Sequence, residues 1–109
     1  NHMETGIEII TAERKRQFEV EGYSVMQDFY RNSKGELANA AAVYAIDPMG
    51  GDASYITGSL WPWKHVNANF SCLDNTEECP EERIKDLAKA GALIAAEIDR
   101  IQFMIKMKA

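Results

Sequence analysis

Arg14, Arg16 and Gln17 fall within the run Glu13-Arg14-Lys15-Arg16-Gln17. A guanidinium presents a planar fork of N–H donors that matches a phosphate or a carboxylate. Tyr23 follows on the same segment, and Trp61 and Trp63 flank Pro62 further along. Their rings offer faces on which a base can stack. Charge for a phosphate and a ring for a base together describe a site for a small anionic, nucleotide-type ligand. A carboxylate of the chain itself would satisfy the same arginines, and Glu97 is the internal partner expected for Arg14 or Arg16. At helical spacing Arg14, Gln17, Phe18 and Glu21 share one side, and Arg16 faces elsewhere.

Catalytic equipment is thin by comparison. His65 is the one histidine outside the first three residues, and no Ser, Cys and His stand in a nucleophilic pattern. Magnesium chemistry needs carboxylates converging on one point. Glu78 and Glu81 bracket Pro80 at a helix start, Glu36 reads as a capping residue, and Glu97 and Asp99 diverge on a helix. Cys72 and Cys79 stand alone in an acidic stretch, without the four ligands a zinc site takes. No metal, cofactor or catalytic residue is expected. Two reduced thiols are expected over a disulfide, because no basic-then-apolar leader precedes them.

The chain has 109 residues and a net charge of −5. That length suits one domain with one modest core. The acidic balance disfavours duplex nucleic acid, whose binding rests on many cations meeting phosphates. No apolar run reaches the length of a membrane span, and a cytoplasmic protein is expected. Asn1-His2-Met3 reads as a cloning remnant, leaving 4–109 as a single helical domain.

Three main helices are expected to position these residues. The first starts after a Thr11 cap and stops at Gly22, with Ile7–Ile10 ahead of it as a short strand or an arm. The second opens on a Ser33/Glu36 capping box and ends at Asp47-Pro48. The third starts with Pro80 at its first position and runs to about residue 106, roughly 40 Å. Along it Ile84, Leu87, Gly91, Ile94, Ile98, Ile101 and Ile105 recur at alternating steps of three and four. That is a coiled-coil-like seam. A rod this long with two apolar flanks needs more cover than two short helices supply, so a homodimer or higher homo-oligomer through the seam is expected. Residues 48–75 hold no sustained period and form a long irregular Trp-containing loop, with Ser54–Thr57 as a strand fragment. One indole of the loop is expected to plug the core and the other to stand as a stacking surface. The fold class is all-α.

Five short motifs occur in order: Glu13-Arg14-Lys15-Arg16-Gln17, Glu21-Gly22-Tyr23, Gly35-Glu36-Leu37-Ala38, Trp61-Pro62-Trp63, and the stretch from Arg83 to Arg100 containing Lys89-Ala90-Gly91-Ala92-Leu93-Ile94. This order resembles a family of small bacteriophage and prophage proteins that read ERxRQ, EGW, GELA, WPW and LVKAGALIxAEIxR. The likeness spans residues 13–100. It implies a phage-encoded protein acting in a bacterial host, and no settled biochemical role comes with it. Where many members of that family carry a His-Asp-Asp-like run, this chain has Ser24-Val25-Met26-Gln27-Asp28-Phe29, with only Asp28 left of the acids.

The expected function is therefore non-enzymatic. It is a phage accessory protein that sequesters a small anionic ligand, such as a nucleotide signal of host defence. A protein-binding inhibitor of a host factor is the first alternative, and a metal-dependent nucleotide pyrophosphohydrolase the second.

Overall fold

The computed structural model describes residues 3–46 and 58–109, and all regular secondary structure among them is helical. Helix α1 spans Gly6–Glu19. Thr5 caps it through a reciprocal pair: Thr5 Oγ1 accepts from Glu8 N, and Glu8 Oε1 accepts from Thr5 N. The expected start at Thr11 is thus corrected by six residues. Thr11 lies inside the helix, its hydroxyl donating to Ile7 O at 2.8 Å. The run Ile7–Ile10 is neither strand nor arm but the first turns of α1. Beyond the helix, Gly22 takes φ 74°, and the Tyr23 N–H reaches back to Gln17 O.

A short helix, α2 (Val25–Arg31), was not expected from the sequence; Ser24 caps it by accepting from Gln27 N. Helix α3 spans Glu36–Ala45. The Ser33/Glu36 box does not form. Gly35, at φ 83°, is the N-cap, and Glu36 Oε1 accepts from Lys34 N instead. Residues 58–60 are also helical. Asp47-Pro48 and the expected strand fragment at 54–57 lie outside the described residues.

Helix α4 spans Pro80–Lys108 with Pro80 in its first turn, as the sequence indicates. It is the spine against which the other three helices pack. Its buried face is built mainly from small residues: Ala88, Ala90, Ala92, Leu93 and Ala96. Alanines let helix axes approach closely, and α3 answers with Leu37, Ala40, Ala41 and Tyr44. Trp61, Trp63, Ala68 and Phe70 close this core from the loop side. Phe29 of α2 meets Phe103 of α4 edge to face at 5.0 Å. Gly91 is a point of close contact with α1: a Cβ there would stand 2.6 Å from Ile10 Cδ1. Gly91 therefore receives α1 of its own chain rather than the apolar seam's partner.

The remaining seam residues are uncovered. Ile84, Leu87, Ile94, Ile98, Ile101 and Ile105 are 37–61% exposed.

Side chains of α3 and α4 stitch the irregular segment 61–79 in place. Tyr44 Oη accepts from Asn69 N, and Lys89 Nζ donates to Asn69 O at 2.6 Å. Fully buried Asp86 accepts from Ser71 N at 2.7 Å and Cys72 N at 3.0 Å. Arg83 of α4 donates to the carbonyls of Tyr44 and Ala45, satisfying the open end of α3. Cys72 and Cys79 form a disulfide, correcting the expectation of two thiols. The turn at Asn75, whose carbonyl and side chain accept from Glu78 N, brings the two Cα atoms to 5.9 Å. That lies within the range a disulfide spans.

Candidate functional site

A cavity of about 1070 Å³ opens between α1, α2, α4 and the Trp segment. Arg14, Arg16, Gln17, Tyr23, Trp61 and Trp63, the six residues singled out from the sequence, all contribute to its wall. Arg16 is included although helical spacing set it apart. Its guanidinium swings toward the end of α1, donating to both oxygens of Glu13 at 2.8 Å and to Glu21 at 3.1 Å. Those bonds hold the Glu13 carboxyl below the usual carboxylate range, against the opposing effect of burial. Arg14 instead pairs with Asp99 of α4 at 3.2 Å. Glu97, the expected partner of either arginine, is taken by Arg100 at 2.6 Å.

Neither indole is a pure core plug or a free surface. Both are half-buried and meet edge to face, with centroids 5.3 Å apart. Trp61 packs against Tyr44 and donates to Val66 O. Trp63 Nε1 donates to Asn32 Oδ1 at 3.2 Å. Asn32, which ends α2, passes the connection on: its Nδ2 donates to Asp28 Oδ1 at 2.9 Å. Trp63, Asn32 and Asp28 thus form a relay from the loop to a buried carboxylate.

Sequence reasoning passed over Asp28, Asn32, Lys85 and Lys89, all of which line the cavity. Asp28 was visible as the one acid left in the 24–29 stretch, but helix α2, which carries it inward, was not. Burial pushes its carboxyl above the usual range, with the Asn32 bond opposing. An acid whose folded pKa is raised weakens the fold where it is ionised. The penalty fades as pH falls through the folded pKa toward the unfolded one. Asp28→Asn, which removes the buried charge, is therefore expected to stabilise the protein at pH 7.5. The gain over wild type should shrink near pH 3, below the ordinary aspartate reference value. Urea midpoints of both proteins at the two pH values check this.

The wall has an electrostatic sign of its own. Arg14, Arg16, Arg31, Lys85 and Lys89 supply five cations, against three carboxylates from Glu13, Glu21 and Asp28. The chain as a whole carries −5. Among the described residues no group of three or more His, Cys, Asp or Glu side chains is placed to hold a metal ion. His65 and Ser71 both stand in the wall of the cavity. Geometry and charge suit binding of an anion beside aromatic rings. No family model, curated protein or solved structure matches the chain.

Proposed function

We propose that this chain binds and sequesters a small anionic ligand of nucleotide type. The observation that carries this reading is the inverted charge of the cavity: a cationic wall beside two indoles in an acidic protein. Basic side chains meet the phosphate, and the Trp61–Trp63 pair meets the base. The resemblance to phage proteins supports a role inside an infected bacterium, where a defence signal is the ligand to be withdrawn. Mass spectrometry of small molecules released by denaturing the bacterially expressed protein tests the reading directly. A thermal-shift series with mono-, di- and cyclic nucleotides extends it. Ligand at a hundred times its Kd stabilises by about 2.7 kcal/mol, a shift of several degrees. Arg14→Ala is expected to abolish at least ~90% of the affinity, since a charge-assisted bond is worth about 1.5–3 kcal/mol. Wild-type protein that releases nothing and shifts with none of these nucleotides would remove the proposal.

The apolar strip on α4 supports a second element, a homodimer. Lys85, Ala88, Lys89, Leu93 and Ala96 turn one face of the helix to the cavity. Ile84, Leu87, Ile94, Ile98, Ile101 and Ile105 turn the other to solvent. A heptad strip of this kind complements a second copy of itself.

The same strip is what favours the alternative, an inhibitor that covers a host protein. Recovery of one stoichiometric host protein together with monomeric behaviour in isolation would select that reading. Magnesium-dependent release of phosphate or pyrophosphate would select a hydrolase instead.

A further inference from the structure

Three polar atoms of the cavity-lining residues have no hydrogen-bond partner among the described residues: Arg14 Nη1, Gln17 Oε1 and Asp28 Oδ2. Gln17 and Asp28 are each only 5% exposed. Each side chain is already tethered through its other end. Arg14 Nη2 donates to Asp99, Gln17 Nε2 donates to Glu13, and Asp28 Oδ1 accepts from Asn32. The tethers define what remains: one donor and two acceptors. Unmet polar groups in a buried wall are costly, so a ligand that satisfies all three gains accordingly.

A bare phosphate does not fit that set. It offers acceptors only, which would suit Arg14 and leave Gln17 and Asp28 facing further oxygen. The complement is an edge with one acceptor and two N–H donors. Among the nucleobases the pairing edge of guanine has this composition, with O6 as acceptor and N1–H and N2–H as donors. Adenine presents one donor beside one acceptor, and uracil one donor between two acceptors. Arginine is a preferred partner of guanine O6, and carboxylates accept from base N–H groups. On the reading that the cavity takes a nucleotide, we infer that it selects guanine, through Arg14, Gln17 and Asp28. The basic side chains Arg31 and Lys85 of the same wall remain for the phosphate. The relay from Trp63 through Asn32 holds the Asp28 carboxylate in the orientation that leaves Oδ2 unspent. All three atoms are shielded from bulk water, so the base parts the wall side chains as it enters.

Calorimetric titration of the full chain with GMP, IMP, AMP and XMP tests the inference. The wild-type protein is expected to bind GMP at least ~10-fold tighter than AMP, with IMP, which lacks the N2 amine, in between. Asp28→Asn is expected to weaken GMP by at least ~10-fold and to improve XMP, whose O2 accepts from the new amide. Equal affinity for GMP and AMP overturns guanine selection while leaving nucleotide binding in place. Failure of all four mononucleotides overturns guanine selection, and failure of the di- and cyclic nucleotides as well overturns both. The IMP comparison uses the wild-type chain alone, so it decides the question independently of the Asp28→Asn variant.

Discussion

Asp86→Ala is expected to lower the melting temperature by roughly 10–25 °C. Asp86 is fully buried, and its two oxygens take the N–H groups of Ser71 and Cys72 at 2.7 and 3.0 Å. Alanine leaves the buried Cys72 N–H without its acceptor, at about 1–3 kcal/mol, whereas the exposed Ser71 N–H can turn to water. It also leaves a small void beside the core. Each kilocalorie moves the midpoint of a domain of this size by about 4–8 °C. Asp86→Asn retains one acceptor oxygen and should fall between the two, which separates lost hydrogen bonding from lost volume. The disulfide persists in both variants and limits the excursion of the loop. A decrease below ~5 °C for the alanine variant, measured by circular dichroism under non-reducing conditions, would show that the 71–72 backbone has another acceptor.

The double variant Ile94→Lys/Ile98→Lys is expected to convert the proposed dimer into a monomer without harming the fold. Both side chains are about half exposed in the single chain, at 51% and 52%, so neither substitution opens the core. Lysine also has a higher helix propensity than isoleucine. In a two-fold pair each change occurs twice. Four isoleucines would lose about 1–1.5 kcal/mol each of apolar burial, half the value for a complete side chain. Four ammonium groups would meet along one seam. The dissociation constant should rise by at least ~1000-fold. Sedimentation velocity across a concentration series checks it, alongside a melting curve. Wild-type protein that sediments as a 12.2 kDa particle at the highest concentration would rule out the seam as a self-interface.

The sequence made α4 legible because several independent signals agreed there. Pro80, the acids Glu81 and Glu82, and a long periodic run all mark the same helix. The expected start of α1, at Thr11, is six residues late. The β-branched run Ile7–Ile10 argued for extended chain, but Thr5 and Glu8 stand in capping-box register, and Ile10 gains a seat on Gly91. Packing and capping together outweighed local propensity. Helix α2 was hidden by its seven-residue length, too short for a period to register. The core of the single chain lies off the isoleucine seam. Isoleucines announce burial loudly, yet the chain buries its alanines and keeps most of the isoleucines outside. Close helix approach rewards small side chains, and a hydrophobicity pattern does not display that preference. At the candidate site the charged and aromatic residues could be read by type, whereas the buried relay to Asp28 depended on an unrecognised helix and a contact across 31 residues.

Both tryptophans of the chain stand in the cavity wall. Ultraviolet emission excited at the red edge of indole absorption therefore arises wholly from this one place. A purine laid against either ring, or a break in the Trp63–Asn32 bond, would change quantum yield and peak wavelength with no background from elsewhere. The molecule carries its own optical gauge of occupancy, readable in a crude titration without label or partner.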